Sequence, residues 1–496
     1  MITLIAELLL AGALLAASLF WFFLLPPRHP RDVPAIPFWV ALVPFFREVD
    51  QADTFKRYVE GPLRRRGAVK IFFSGQWNIL LHRPSYLLEI FKQEEIFQKS
   101  GNQKKIPHSV LAAFLGDNII TGRADDWKAY KSVIKPGLQR TSEVDILERN
   151  AALLCNVIDT TRQVTPGGVT HMQDLLQRYS MANCAGMLLQ VDLPQTIESD
   201  VPLNTLQLAV KREIFKPVFL NFPFLDRLPL PSRMYARKLV RDFRHQLQSA
   251  LETSHAAETT EKTQLSSNKL GARLLGALRS GIFNQKQFLD NLLIVFVAGQ
   301  ENPQLGMISM MYLLAKHPEI QDQLYAEISK LGGDSTLQQG QALPQDPCAA
   351  SQVLEDIPLM TAIILESLRL FPPIAQLINR RVAPAEGALL GGTTYIPQGT
   401  YVGYSCYSTN RDPTAWGPDE NGFRPGRWGS SAAEIQQQYK QRRARGEFIS
   451  FHGGIRACLG EKMALLEMRV TLWVLVGRFR WALDPTWPDR MTPSPA

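Results

Sequence analysis

The segment FHGGIRACLG, residues 451–460, decides the fold of this 496-residue chain. Its glycines let the backbone turn tightly and approach a flat ligand closely. An apolar helix is predicted directly after Cys458, over 461–476, so the sulfur lies near a helix N-terminus. Backbone N–H groups and the helix dipole stabilise a thiolate there. Arg456, two residues before the cysteine, is placed to pair with an anion.

This segment resembles the haem-binding loop of the cytochrome P450 family, and the matching positions are Phe451, Gly454, Arg456, Cys458 and Gly460. The resemblance implies that Cys458 is the proximal ligand of the iron of haem b. It also implies that Arg456 pairs with a haem propionate. A thiolate ligand donates electron density to the iron and favours O–O cleavage. Without these matches, a buried free cysteine in a glycine turn would be the alternative.

Two further segments resemble the same family. LESLR at 365–369 lies in an apolar helix, where residues three apart share one face and can form an ion pair. FRPGRW at 423–428 resembles the arginine-bearing meander of the family. The resemblance implies a structural triad of Glu366, Arg369 and Arg427 that locks the core behind the haem. Gly426 replaces the usual acidic residue of the family, a departure expected to be minor.

Three more residues are candidates for haem binding. Trp127 and Lys131 lie at helical spacing, where the family commonly has tryptophan and arginine near the propionates. Lysine keeps the charge but loses the bidentate geometry of arginine. Arg380 follows the Pro372-Pro373 stretch and is another candidate propionate ligand. The alternative for each cation is an ordinary exposed side chain.

The segment AGQENP at 298–303 resembles the oxygen-activating helix of the family. By this resemblance Gly299 leaves room for dioxygen, and Glu301 helps to relay protons. Asn302 occupies the usual threonine position, and its amide differs from a hydroxyl in shape and acidity. Pro303 lacks an N–H and is expected to deepen the helix kink. The alternative is a kink that serves packing alone, with Asn302 hydrogen-bonded within the helix.

The acid-asparagine-proline variant is similar to that of certain fungal enzymes that act on aromatic amino-acid or cyclic-dipeptide derivatives. This likeness leaves hydroxylation, aromatic coupling and other radical outcomes open.

The N-terminal stretch 2–25 is apolar apart from Glu7. A helix of about 24 residues is about 36 Å long, enough to cross a bilayer. Pro26 ends it, and Arg28 and Arg31 follow, which favours a cytosolic location for the rest of the chain. The prediction is a single-pass anchor in the endoplasmic reticulum membrane; a cleaved signal peptide is the alternative.

The predicted organisation has three parts: the anchor with its proline stop at 1–27, a stiff proline-rich linker at 28–45, and a haem-thiolate monooxygenase domain at 46–496. Helical periodicity is clearest at 285–316, 355–370 and 461–476. Strands are predicted at 69–73, 77–81 and 395–401, and polar surface loops at 253–269, 333–352 and 429–447. The resemblance implies a mainly α fold with small β-sheets, a triangular helical prism.

Composition restricts the class of protein. A hydrophobic content of 45% and a charged content of 20% are those of a globular protein. The net charge of +8 favours an acidic partner or an anionic membrane surface over nucleic acid. The five cysteines include no C-x-x-C pair, which argues against a disulfide framework or a structural zinc site; they are Cys155, Cys184, Cys348, Cys406 and Cys458.

The resemblance implies insertion of one oxygen atom of O₂ into an apolar organic substrate, an intermediate of secondary metabolism. The chain has no convincing flavin or nicotinamide motif, so electrons come from NADPH through a separate cytochrome P450 reductase, with cytochrome b5 admitted as a second partner. A basic surface that includes Lys128, Arg442, Arg443 and Lys462 is the predicted docking site. The substrate chamber is expected among 99–118, 201–230 and 371–379.

Two other functions compete with monooxygenation. The first is an enzyme of the same fold that couples, desaturates or rearranges its substrate without inserting oxygen. The second is a haem-binding sensor or carrier without turnover, which would leave Glu301 without a purpose.

Overall fold

A computed structural model describes residues 25–46, 50–139, 144–195, 201–258, 269–332, 343–344 and 346–487, together with residues 7, 10–15, 17 and 18. Most of the predicted anchor at 2–25 lies outside the described residues. Within the described part of the chain, no single helix is long and apolar enough to cross a bilayer. Pro347–Glu355 and Pro358–Leu370, bent by 76° to each other, reach that length and apolarity only as a pair.

Helices dominate the described chain. The α-helices are α1 (Val43–Phe46), α2 (Gln51–Phe55), α3 (Gly61–Arg66), α4 (Pro84–Lys92), α5 (Asn102–Lys105), α6 (Val110–Leu115), α7 (Ala124–Leu138), α8 (Val144–Val164), α9 (Met172–Cys184), α10 (Pro202–Ile214), α11 (Pro217–Asn221), α12 (Pro231–Glu258), α13 (Leu270–Arg279), α14 (Gln285–Lys316), α15 (Pro318–Gly332), α16 (Pro347–Glu355), α17 (Pro358–Leu370), α18 (Cys406–Thr409), α19 (Pro413–Trp416), α20 (Ala432–Ala444) and α21 (Glu461–Arg478).

The described residues form seven strands in two sheets. They are β1 (Ala68–Phe73), β2 (Gln76–Leu81), β3 (Phe97–Lys99), β4 (Gln376–Val382), β5 (Ala388–Leu390), β6 (Thr394–Ile396) and β7 (Tyr401–Ser405). The larger sheet has the order β1-β2-β7-β4-β3, with only β2 and β7 parallel. Strands β5 and β6 form a separate antiparallel pair. The predicted strand at 395–401 is therefore divided between β6 and β7.

The long helix α14 runs through the core. Its N-terminus carries a capping box, in which the Asn284 side chain accepts from the Gln287 N–H and Gln287 reaches back to the Asn284 N–H. The helix packs against α9, α17 and α21, so it joins the cysteine loop to the body of the helical domain. Its observed bounds agree with the predicted helix at 285–316.

Three predicted loops differ from the structure. Residues 432–444 of the expected loop at 429–447 form helix α20, because Ser431 caps it and its Glu, Gln, Lys and Arg residues favour helix even without an apolar face. Helix α16 occupies the end of the expected loop at 333–352, capped by Asp346. Helix α12 continues to Glu258, inside the expected loop at 253–269. The helix predicted at 355–370 begins at Pro358 instead.

The proline-rich linker predicted at 28–45 does not stand free of the domain. The Ile36 N–H donates to the Lys70 carbonyl oxygen at 2.9 Å, and the Lys70 N–H donates to the Pro34 carbonyl oxygen at 2.8 Å. Val33 and Ile36 are buried. Burial of these two apolar side chains against β1 explains why the segment packs on the sheet rather than acting as a spacer.

Candidate active site

The cysteine loop, residues 451–460, is shaped by its glycines. Gly454 has a φ of +67°. A Cβ atom there would lie 2.6 Å from the carbonyl oxygen of Phe91, so only glycine fits. The Cys458 N–H donates to the Phe451 carbonyl oxygen at 3.0 Å and closes the loop. Helix α21 begins three residues after Cys458, which confirms the predicted position near a helix N-terminus.

The thiol of Cys458 can serve as a metal ligand. Its side chain is exposed, in contrast to the buried Cys155, Cys184 and Cys406. The surrounding protein nevertheless limits its solvation and raises the pKa of the thiol to about 11, while the backbone N–H groups of Gly460 and Glu461 oppose this increase. Coordination of a metal requires the deprotonated sulfur. The two N–H donors stabilise that form.

Trp127 connects helix α7 to the cysteine loop. The guanidinium carbon of Arg456 lies 4.6 Å from the centroid of the Trp127 ring, and Nζ of Lys131 lies at the same distance. The structure therefore brings together three of the predicted haem-binding residues. The carboxylate partner of Arg456 among the described residues is Glu94, at 2.5 Å. A second guanidinium nitrogen of Arg456 donates to three carbonyl oxygens, of which that of Gly122 lies at 2.9 Å.

Arg380 lies in a buried group of cations. It occupies β4 opposite Lys99 of β3, and both side chains are buried. Desolvation, with Arg380 and Arg456 nearby, holds the pKa of Lys99 well below its usual value. The Nε atom of Arg380 has no hydrogen-bond partner among the described residues. A buried cation without a counter-charge is costly, so this group is suited to an anion.

The donor set fits haem b. Among the described residues, Glu94 is the carboxylate near Lys99, Arg380 and Arg456, so basic side chains outnumber carboxylates there. The propionates of haem b would supply the missing negative charge and would favour the charged form of Lys99. With Cys458 at the iron, these cations would hold the propionates. The described residues contain no group of three or more His, Cys, Asp or Glu side chains that could bind a metal by themselves.

Lys99 and His452 were not identified as site residues from the sequence. Lys99 lies two residues from the buried Phe97, on the same face of β3, and a lysine on the inward face of a strand was the available signal. The Tyr404 hydroxyl lies 3.0 Å from Nδ1 of His452. Desolvation, aided by Lys99 and Arg380, lowers the pKa of His452 to about 3. His452 therefore stays neutral and adds no charge to the cation group.

The predicted triad is assembled in the structure. Arg369 donates two hydrogen bonds of 2.8 Å to Glu366, and Arg427 donates a third of 2.8 Å. The indole N–H of Trp428 donates to the same carboxylate at 3.0 Å. Glu366 and Arg369 are fully buried. Asp419 pairs with Arg427 at 3.1 Å and supplies a carboxylate near the position where Gly426 has none.

Glu301 is held by the neighbouring helix α10. Its Oε1 atom lies 3.3 Å from Nζ of Lys211 and accepts a hydrogen bond of 2.8 Å from Gln207. Gln207 also donates to the buried Gln300, which donates to Gln304, each at 2.8 Å. The proposed proton-relay acid thus belongs to a polar chain between two helices. Polar residues four apart on α10 and on α14 were the sequence signal for it.

Asn302 forms a hydrogen bond within its own helix. Its Nδ2 atom donates to the Ala298 carbonyl oxygen at 3.1 Å. This contact matches the packing alternative for Asn302, although the amide retains a second N–H and a carbonyl oxygen. Helix α14 continues through Pro303 without interruption.

Gly299 packs closely against a neighbouring helix. A Cβ atom there would lie 3.0 Å from Sγ of Cys184 and 3.3 Å from Cδ1 of Leu188. The space left by the missing side chain therefore faces helix α9 and the turn that follows it. Gly299 thus allows close contact between these helices, and its role toward dioxygen stays a prediction.

An exposed thiol at a helix N-terminus, on a loop whose Arg456 lies close to the buried cations Lys99 and Arg380, is the arrangement expected of a haem-thiolate site. The sequence profile of the family described as Cytochrome P450 matches residues 37–495. The chain belongs to the cytochrome P450 family and is a cytochrome P450 monooxygenase.

Relatives support the same family. Cytochrome P450-DIT2 of Saccharomyces cerevisiae is 38% identical over 474 residues, which cover 95% of this chain and 91% of that protein. Cytochrome P450 monooxygenase xanG of Aspergillus fumigatus is 33% identical over 480 residues, covering 95% and 86%. The haem domain of a cytochrome P450DA mutant has a similar fold, with a TM-score of 0.67, 16% identity and 88% of each chain covered.

Proposed function

We propose that this protein is a membrane-anchored monooxygenase that oxidises an apolar organic substrate, an intermediate of secondary metabolism, with electrons from a separate reductase. The observation that carries the catalytic part is the exposed Cys458 thiol on a loop whose Arg456 and His452 lie close to the buried cations Lys99 and Arg380. Haem, when bound, supplies the activation of O₂. The chain supplies the ligand, the counter-charges and a carboxylate that can hold a proton.

Glu301 is the residue proposed to handle that proton. Its ion pair with Lys211 holds the carboxylate in position between α10 and α14. Release from Lys211 would let the carboxylate turn and accept a proton from solvent. Before that release, the hydrogen bond from Gln207 helps to hold the Glu301 side chain in its resting position.

Ion pairs within the chain neutralise part of the positive charge on the proposed reductase-docking surface. Arg442 lies 2.8 Å from Glu447, and Arg443 lies 2.7 Å from Glu461. Lys128 is exposed but pairs with Asp125 at 3.0 Å. Among the four predicted docking residues, Lys462 is exposed and is the strongest candidate for contact with an acidic partner. A reductase bound there would lie close to the cysteine loop.

Membrane attachment is proposed through the stretch at 2–25 and an apolar surface beside it. Asn221 donates to the Ala41 carbonyl oxygen at 3.2 Å, and the rings of Phe45 and Phe222 lie 5.9 Å apart, so the segment 38–46 packs against α11. Exposed apolar side chains on these segments and the turn that follows are Trp39, Phe46, Phe224, Leu228 and Leu230. Such a surface suits contact with lipid. The endoplasmic reticulum, with the domain in the cytosol, is the proposed location.

The carbon monoxide difference spectrum of the reduced full-length protein tests the catalytic proposal, with Cys458→Ala beside it. A strongly red-shifted Soret band, lost in Cys458→Ala, is expected for a thiolate ligand. An unchanged band in the variant, or a protein that binds no haem, contradicts the assignment. NADPH consumption that depends on added reductase and substrate would exclude a sensor or carrier without turnover.

Oxidative coupling without oxygen insertion is a second candidate. The observation in its favour is Asn302, whose amide bonds to Ala298 and replaces the hydroxyl usual at this position. Turnover under ¹⁸O₂ separates the two functions once a substrate is found. Label in the product supports oxygen insertion, and its absence supports coupling, desaturation or rearrangement.

A further inference from the structure

A cleft of about 460 Å³ opens where the turn into helix α12 meets the segment before α6. Its charged lining comprises Asp226, Arg227, Arg233 and Arg237, with His108 across from them. Leu228 and Met234 line the same cleft and are exposed. The cleft thus combines three guanidinium groups and one carboxylate with apolar side chains.

Hydrogen bonds fix the two sides of the cleft to each other. Arg237 donates to the His108 carbonyl oxygen at 2.6 Å and to the Asp226 carbonyl oxygen at 2.9 Å. The Val110 N–H donates to a carboxylate oxygen of Asp226 at 2.9 Å. The walls are therefore held in place by the protein, and the arginines do not depend on a ligand for their positions.

Arg233 is the unusual member of the group. Its side chain is only 1% exposed, and its guanidinium carbon lies 3.7 Å from the centroid of the Phe219 ring. One terminal nitrogen pairs with Glu213, and the other lies 3.6 Å from Asp226. Its Nε atom has no hydrogen-bond partner among the described residues. A buried N–H without an acceptor is unfavourable, so an acceptor oxygen at this position would be stabilising.

We propose that the cleft binds the carboxylate of a small amphiphilic molecule. Guanidinium groups hold carboxylates through paired, charge-assisted hydrogen bonds. Arg233 is already paired with Glu213 and Asp226, so Arg227 and Arg237 offer the positive charge for an anion. Leu228 and Met234 offer contact to an apolar portion. The proposal rests on the proposed function in one respect: residues 107–108 and 226–229 of the walls belong to segments expected to border the substrate chamber. The ligand is therefore assigned as the substrate, an organic acid with an apolar portion.

Arginine labelling tests the site without any need for turnover. The full-length protein in phosphatidylcholine nanodiscs is treated with phenylglyoxal, in the presence of octanoate or of octanol, and its peptides are analysed by mass spectrometry. Octanoate is expected to protect Arg227 and Arg237, whereas octanol is not. Arg241, exposed on the same helix but outside the cleft, is the internal control and should react equally in both. Equal labelling of Arg237 with the two probes overturns the proposal.

Binding to variants gives a second measurement. Octanoate is expected to bind Arg237→Gln about tenfold more weakly, because one hydrogen bond to a charged group is lost. It should bind Arg241→Gln as tightly as it binds the unaltered chain. Arg227→Gln, at an exposed position, repeats the comparison without disturbing the bonds that Arg237 makes to the walls. Unchanged octanoate affinity in both cleft variants contradicts the proposal.

A lipid headgroup could supply the same anion chemistry. If phosphatidylserine in the nanodisc protects Arg237 from labelling while octanoate does not, that result would overturn the assignment to a small molecule and identify the cleft as a lipid-binding site. The carbon monoxide spectrum tests the proposed function separately, so failure of one proposal is distinguishable from failure of the other.

Discussion

A Cβ atom placed on Gly299 would lie 3.0 Å from the sulfur of Cys184, because helices α14 and α9 meet at this pair. Gly299→Ala is therefore expected to lower the free energy of unfolding by about 1–3 kcal/mol through overpacking. Thermal unfolding in detergent measures this change. Combination with Cys184→Ala should recover part of the loss, because the sulfur is removed. Unchanged stability with impaired turnover would instead support the dioxygen role.

Glu366→Gln is expected to destabilise the protein by roughly 3–5 kcal/mol, because it leaves the buried Arg369 without its counter-charge. The measurement is the thermal midpoint together with the ratio of bound haem to protein. Asp125→Asn is a matched control, since Asp125 and Lys128 form a pair with the same spacing on an exposed surface. That change is expected to cost less than about 1 kcal/mol. Similar effects of the two substitutions would contradict a special role for the triad.

Lys99→Gln is expected to release haem about tenfold faster, because one charged contact to a propionate is lost. Transfer of haem to an excess of apomyoglobin gives the rate. Lys92→Gln, at an exposed position on α4, should leave this rate unchanged. Equal rates for Lys99→Gln and the unaltered protein would remove Lys99 from the haem site.

Lys105 provides a prediction about pH. Burial lowers the pKa of its ammonium group to about 7, against about 10.4 in an unfolded chain. The folded state therefore binds fewer protons than the unfolded state between these values, and stability rises with pH across that window. Relative to the unaltered protein, Lys105→Met should raise the thermal midpoint most below about pH 7. This gain should disappear as the pH approaches about 10.

Lys104→Met is the control for this measurement, because Lys104 is the exposed neighbour of Lys105. Its thermal midpoint should follow that of the unaltered protein at every pH. A constant difference between Lys105→Met and the unaltered protein would indicate that the lysine is well solvated.

Glu301→Gln is expected to lower turnover by about 100-fold if its carboxylate carries the catalytic proton. Lys211→Gln, which keeps the carboxylate but removes its partner at 3.3 Å, should have a smaller effect and shift the pH profile of turnover. The reductase-supported rate in H₂O and D₂O measures both. Full turnover in Glu301→Gln with the usual solvent isotope effect would place the proton path elsewhere.

Local patterns were sufficient for much of the fold. The bounds of α14 follow from helical periodicity and an N-terminal cap, and strands β1 and β2 lie within a residue of their predicted limits. The prediction of a loop at 429–447 was wrong because helix α20 has no apolar face. Hydrophobic periodicity therefore gives no signal for this helix, and only helix propensity remains. The packing of residues 33–36 of the linker on β1 was not predicted, because it is a tertiary contact between segments about 34 positions apart.

The sequence by itself determined the family, the ion pair of Glu366 and Arg369, and Cys458 as the candidate ligand, because these depend on short spacings in one segment. Only the tertiary structure decided that Lys99 faces Arg380, that Lys211 holds Glu301, and that Gly299 meets Cys184. Each of these pairs joins residues about 90 or more positions apart, and a local sequence pattern does not indicate which distant residue a side chain will contact. Packing of helices and pairing of strands create such contacts, and desolvation then sets their charge.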